Sequence, residues 1–530
     1  MADMFDQDDD VVVVAIDFGT TYSGWAFSLR DKYKNDHLDI QTHSGWKSGD
    51  GLITPKIPGI GSKKISSKLM LKDACGKSMT AMKVFSESLK FLMNNFLNVL
   101  KERIQSPPMQ YISWVLTVPA IWTDKAKEFM RLAALEAGIS DTHLYVAYEP
   151  EAAALFCNEV TYKSNEKMSV FKPGESFLVL DCGGGTVDIA TYQVIEKVKL
   201  RELHQPSGGP LGGTMIDKAF LKFMEGLFGK PVWNNFVKNY ISEFHDLKRH
   251  FEAKKRTVGE DNERQNEFLT IPRSLFDVYE ELNHTKFESA MDIKRVKDKI
   301  KVPTEVMVTL FEETTNNIAD HVCKLLEEPD LTNVKTVLMV GGFSDCSLLR
   351  QKVKKKLSNM LVICPDDAVL SVVKGAVIFG NNREWIQERI CPRTYGIACN
   401  VPYNNEQPYV SLQNYDGQTM STHVFKTLVR KGDPIFIGKS KFDSTFGPTT
   451  ASYKKATIEV FYSSEADPLF TIGVNVRELG ILNLDIPDTM KGTDREIVVT
   501  LTFCKSTEIE VVAYEKGTQN RVSRRFSCLE

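Results

Sequence analysis

The sequence predicts a layered α/β fold over most of its length and a smaller β-rich domain at its end, on three observations. Up to about residue 385, apolar runs that read as buried strands alternate with amphipathic helical segments. Beyond about residue 390 the polarity alternates with a period of two, and Gly, Pro, Asp and Ser separate the segments. One short pattern also occurs twice: an apolar strand that ends in aspartate, then a glycine turn, a hydroxyl and a second strand.

The runs VVVVAI (11–16), WVLTV (114–118), FLVL (177–180) and TVLMV (336–340) are apolar throughout, as strands covered on both faces are. Between them, 78–104 and 123–138 keep helical spacing, and Thr123 supplies an N-cap hydroxyl and Gly138 a stop. The phenylalanines within 85–96 sit at helical spacing and are expected in the core, whereas KVKKKL (352–357) reads as a solvated face. In the tail, ATIEVFYSS (456–464), FTIGVNV (470–476), REIVVTLTF (495–503) and EIEVVAYEK (508–516) read as strands of an antiparallel sheet or sandwich. The expected organisation is an acidic flexible stretch at 1–10, an α/β unit at 11–385, a connector at 386–392 and the β-rich domain at 393–530.

Composition narrows the function. A net charge of -3 with 25% charged residues gives no basic surplus for nucleic acid or an anionic membrane. The 10 cysteines are dispersed without C-x-x-C, and the 9 histidines lack ligand spacing, so free thiols in a reduced compartment are expected. The start MADMFDQDDD is acidic where a secretory signal is basic, and VVVVAI is too short to span a bilayer. The reading is a protein of the cytoplasm or nucleus with no membrane span; the sequence carries no signal of oligomeric state.

The repeated pattern carries chemistry. VAIDFGTTYSG presents Asp17, Gly19, Thr20 and Thr21; LVLDCGGGTVD presents Asp181, Gly183, Gly184, Gly185, Thr186 and Asp188. Glycine turns let backbone N–H groups approach an anion, and the threonine hydroxyl adds a donor. A carboxylate beside such a nest repels bare phosphate, so a divalent cation between them is expected, with Asp17 and Asp181 as the Mg²⁺ side of the site. Two such hairpins clamp a polyphosphate from opposite sides. GGPLGGTMID adds Gly212 and Gly213 before a helix, a terminus suited to anions, and VLMVGGFSD places Gly341 and Gly342 where a flat ligand can approach the backbone.

The ordered set IDFGTTYSG, LTVPAIW, YEPEAAA, LDCGGGTVD, PLGGTMID, FEAKKRT and LMVGGFSD resembles the 70-kilodalton heat-shock protein ATPases of the actin and sugar-kinase superfamily. WVLTVPAIWTDKAKEFMRLAALEAG and VAYEPEAAALF are closest to the divergent heat shock 70 kDa protein 12 subfamily. The resemblance implies a two-lobed actin-like ATPase fold, built of duplicated ribonuclease H-like lobes, that binds ATP or ADP with Mg²⁺. It implies that Gly19, Thr20 and Thr21 hold the β- and γ-phosphates and that Gly183, Gly184 and Gly185 line them. Asp181, Thr186 and Asp188 would position the attacking water, and Glu149 would sense the γ-phosphate. By the same resemblance Glu252 meets the ribose or base, Lys255 and Arg256 flank the base, Pro119 is the switch proline, and Lys127 replaces its arginine relay.

Three departures limit what is implied. Asp345 stands where the chaperones have an adenine-packing arginine. The stretch between Pro55 and Pro119 is shorter than theirs and lacks the context of their catalytic lysine, so Lys56, Lys63, Lys64, Lys68 and Lys72 are undistinguished candidates. NNREWIQERICPRTYGIACN (381–400) replaces their hydrophobic linker, and no helical lid follows the β-rich domain, which resembles a lidless peptide-binding sandwich for protein or peptide partners. The reading is an ATP/Mg²⁺-binding heat-shock-like protein, a weak ATPase whose nucleotide state controls protein contacts. A nucleotide-gated scaffold without useful turnover and a small-molecule kinase on the same superfold stay open.

Overall fold

The computed structural model describes residues 11–526 except 20, 43–51, 54–68, 73–75, 104–107, 164–168, 197–198, 260–264, 383–384, 407, 437–438 and 505–508. Thr20, Lys56, Lys63, Lys64, Lys68 and the acidic stretch 1–10 thus lie outside the described residues. The described chain is mixed α/β with eleven α-helices, in line with the layered α/β fold expected from the sequence.

Two sheets repeat one plan. In the first, Val12–Phe18 pairs antiparallel with Tyr22–Leu29 and parallel with Ile112–Val118, beyond which Leu144–Tyr148 adds in parallel. In the second, Ser176–Cys182 pairs antiparallel with Val187–Glu196 and parallel with Val334–Val340, beyond which Leu361–Ile363 adds in parallel. The central strands are buried along almost their whole length, which is why VVVAI and FLVL are apolar up to Asp17 and Asp181. One apolar cluster joins the sheets: Val13, Ala15 and Val115 from the first and Val179, Ala190 and Val340 from the second pack with helices Glu149–Lys163 and Ser371–Asn381. This shared core sets the two Asp-Gly hairpin ends side by side.

Helix Asp124–Glu136 starts where the sequence indicates: the Thr123 hydroxyl accepts from the Ala126 amide, and Gly138 takes φ +106° after the last turn. The long helix is Ala81–Arg103, with Phe85 and Phe96 buried. Phe91, expected in the core, is 52% exposed, because it falls on the face of this helix turned away from the first sheet.

The tail forms a five-stranded and a four-stranded antiparallel sheet. Ile497–Phe503 alternates buried and half-buried residues along its length, as its period-two sequence requires. FTIGVNV is not a strand. Pro468 stands just before it and Gly473 interrupts it, its pairing is a single bridge from Phe470 to Val424, and the next strand starts at Val476. The segment expected as a connector is sheet: Ile386–Ile390 pairs in parallel with Lys199–Gly209 at the edge of the second sheet. All eight described cysteines are free thiols, and no described helix is long and apolar enough to cross a membrane.

Candidate functional site

The turns of the two hairpins touch. A Cβ on Gly184 would lie 2.0 Å from Thr21 Oγ1, so only glycine permits this approach. Gly341, at φ +82°, brings the turn after Val334–Val340 directly against Asp181, whose Oδ1 would lie 2.2 Å from an added Cβ. The second hairpin is also stacked on the turn before helix Thr214–Phe228. The Gly212, Gly213 and Thr214 amides donate to the carbonyls of Gly185 (3.3 Å), Gly183 (3.1 Å) and Gly184 (2.8 Å). The amides of Gly212 and Gly213, expected to face an anion, are therefore engaged with carbonyls of the neighbouring turn.

A cleft of about 880 Å³, counted with its open mouth, lies around these turns. Asp17 and Thr21 reach its wall from the first hairpin, Gly184 from the second, and Gly213 and Gly342 from the other two turns; helix Ile241–Thr257 contributes Glu252, Lys255 and Arg256. Gly19, Gly183, Gly185, Gly212 and Gly341 do not line it, nor do Asp181, Asp188, Thr186 and Glu149; of these acids Asp181 and Asp188 are buried. Lys255 is not a solvated lysine: it is 6% exposed, pairs with Glu252 (2.5 Å) and Asp217 (2.9 Å), and donates to the Gly213 carbonyl. Phe343 and Cys346, both buried, form part of the wall and were not singled out in the sequence. Asp345 is not on that wall; burial raises its carboxyl, opposed by Arg256 and Arg350.

The carboxylates under the cleft hold their protons more tightly than free carboxylic acids do. Burial pushes Asp181 well above the aspartate range, and Asp188 and Asp17 push it further. Glu149 is raised well above its ordinary value by burial, then by Asp181, Asp17 and Asp188. Burial also raises Asp17, although the Thr117 hydroxyl donates to its Oδ1 at 2.6 Å. Asp188 is pushed up to about 7 by burial, against the Ala120 and Ile121 amides, which donate to its Oδ2. Its Oδ1 is buried without a hydrogen-bond partner. Among the described residues no group of three acids, cysteines or histidines converges to hold an ion alone. Hard carboxylate oxygens that repel one another, beside backbone turns, nevertheless fit a hydrated Mg²⁺ that arrives with phosphates.

The Asp188 contact joins this site to a second set of residues. The turn it holds, 120–121, follows Pro119 and precedes the helix bearing Lys127. The Arg389 guanidinium grips Glu151 with two bonds, 2.7 and 2.6 Å, and lies 4.1 Å from the centre of the Tyr148 ring. The Ile390 amide donates to Glu202 at 2.7 Å, and Arg201 donates to Glu388 at 2.8 Å. A charged strap thus stands where the sequence showed only that a hydrophobic linker was missing.

The family model described as Hsp70 protein matches residues 55–515. The chain belongs to the Hsp70 family. It is 28% identical to heat shock 70 kDa protein 12B of Homo sapiens over 98% of this chain and 91% of that protein. Heat shock 70 kDa protein 12A is 27% identical, in Homo sapiens over 98% of this chain and 91% of the relative, and in Mus musculus over 97% and 90%. The subfamily suggested by the sequence is therefore the one these relatives represent. Hsp70 proteins generally bind ATP or ADP with Mg²⁺. The family match begins after the first hairpin, so for Asp17 and Thr21 the geometry of the cleft adds what that match does not cover.

Proposed function

We propose that this Hsp70-family chain binds Mg·ATP and Mg·ADP between two actin-like lobes, and that the nucleotide state governs the contacts of its β-rich domain with protein or peptide partners in the cytoplasm or nucleus. The observation that carries the reading is the meeting of the two Asp-Gly hairpins at Thr21 and Gly184 on one cleft wall, above a set of buried, mutually repelling carboxylates. Residues 11–385 would form the nucleotide unit, 386–392 the strap and 393–530 the partner domain. Asp17 and Asp181 would hold Mg²⁺, which when bound neutralises phosphate charge.

The chain's own groups supply the rest. The turns at Gly19–Thr21 and Gly183–Gly185 orient the phosphates, and Thr21 adds a hydroxyl at the wall. Glu252 and Arg256 meet the nucleoside; Lys255 holds Glu252 in place. Glu149, which burial and the neighbouring acids push toward its protonated form, would donate to a phosphate oxygen. Thr186 and Asp188 position water, and Asp188 links the cleft to the turn after Pro119.

A second reading, a nucleotide-gated scaffold without useful turnover, is favoured by one observation. The Asp188 Oδ2 is engaged by the Ala120 and Ile121 amides, which leaves only Oδ1 for water. Phosphate release from Mg·ATP by the full chain, measured beside affinity, separates the two: release at a steady slow rate supports the weak ATPase, and tight binding without release supports the scaffold. Gly184→Val should abolish nucleotide-induced thermal stabilisation in either case, and an unchanged shift would refute the site.

A further inference from the structure

A second cavity, about 1090 Å³ with its open side, lies away from the nucleotide cleft where the turn after Pro119, the strap and the β-rich tail come together. Lys127, Arg389 and Arg393 reach its wall. Two of these cations are partnered, Arg389 by Glu151 and Arg393 by Asp124 at 3.4 Å. Lys127 is not: it is 5% exposed, no carboxylate lies within ion-pair distance among the described residues, and its Nζ stands 3.9 Å from the centre of the Tyr148 ring. Burial and the nearby Arg389 work against its charge, but Tyr148, to whose hydroxyl it hydrogen-bonds, and Asp124 outweigh them and keep it protonated.

The same wall carries Trp122, 6% exposed, whose indole N–H is buried without an acceptor among the described residues. The remaining acid of the cavity, Glu202, is pushed up to about 8 by burial and accepts the Ile390 amide, so it contributes little negative charge near neutrality. A buried ammonium that has a phenol but no carboxylate beside it, and a buried indole N–H without an acceptor, are costs that one oxyanion removes together.

We propose that this cavity is a second ligand site, for a small molecule bearing a carboxylate or phosphate group that takes Lys127 as its charge partner and Trp122 and Arg393 as further donors. The site does not rest on the nucleotide reading, because none of these three residues lines the nucleotide cleft. Its occupant neutralises Lys127 on the helix that follows the turn held by Asp188, so binding stiffens the segment between cleft and strap.

The test is calorimetry on the full chain with inorganic phosphate in one arm and citrate in the other, at ionic strength fixed with chloride. Saturable binding is expected, retained in Gly184→Val, weakened about tenfold or more in Lys127→Met and severalfold in Trp122→Phe, and restored in Lys127→Arg. The arm with the tighter binding tells phosphate from carboxylate. Absence of saturable binding in both arms overturns the proposal, as does binding that is lost in Gly184→Val and kept in Lys127→Met, which would place the anion in the nucleotide cleft. Should Lys127→Met fail to fold, Trp122→Phe decides, since it keeps a ring and removes only the N–H donor; unchanged binding there counts against the site.

Discussion

Glu149 and Glu151 open the same helix two residues apart and meet opposite surroundings. Glu149 faces Asp17, Asp181 and Asp188 and is forced toward its protonated form. Glu151, fully buried, is gripped by both arms of Arg389. One helix end therefore borders a cluster of mutually repelling acids and, beside it, a strap whose charges are already matched. On the function proposed here, the first would be completed by a bound cation, whereas the second holds its geometry unaided.

The largest expected effect comes from breaking the matched side. Arg389→Ala leaves Glu151 buried and unpaired and should cost about 3–5 kcal/mol in urea unfolding, while replacing both residues by methionine should recover most of it. A loss below about 1 kcal/mol would show that the pair is not the fastening described. On the unmatched side the sign reverses. Asp181→Asn removes a repelling charge, so the nucleotide-free protein should gain about 1–2 kcal/mol of stability while its stabilisation by Mg·ATP disappears. A mutant that is destabilised yet still stabilised by nucleotide would contradict the contrast.

Glu202 sharpens the comparison through pH. Its carboxyl lies at about 8 in the fold against 4.5 for a free glutamate, so the native state binds the extra proton. Its stabilising contribution is fully present below about 4.5, is lost as pH rises toward 8, and is constant above that. Glu202→Gln should flatten that part of the slope in denaturation series at pH 5, 6, 7 and 8.5; parallel curves for the two proteins would remove Glu202 as its source. The smallest effect is expected at Phe91. Phe91→Ser should change stability by no more than about 0.5 kcal/mol, whereas Phe96→Ala, buried on the same helix, should cost about 3–5 kcal/mol.

The hairpins were legible because their whole message is local: a buried strand, an aspartate at its end and a glycine where no Cβ fits, as at Gly184 beside Thr21. The strands and the Thr123 cap were legible for the same reason. The strap was not, since Arg389 and Glu151 are 238 residues apart and neither has a sequence context that names the other. Nor did local sequence show that the Gly212 and Gly213 amides would be engaged by the second hairpin, or that Lys255 would be buried between Glu252 and Asp217. FTIGVNV failed for a different reason. Alternating β-branched residues suit a strand, but pairing needs a neighbour along the whole run, and Pro468 and Gly473 leave room for a single bridge.

The most direct test of the central claim is a calorimetric titration of the full chain with ADP, with and without Mg²⁺, in wild type and Asp181→Asn side by side. The acidic site predicts saturable binding that depends on Mg²⁺ in the wild type and is lost in the mutant. Absence of binding in the wild type, or equal affinity in the two proteins, would contradict it.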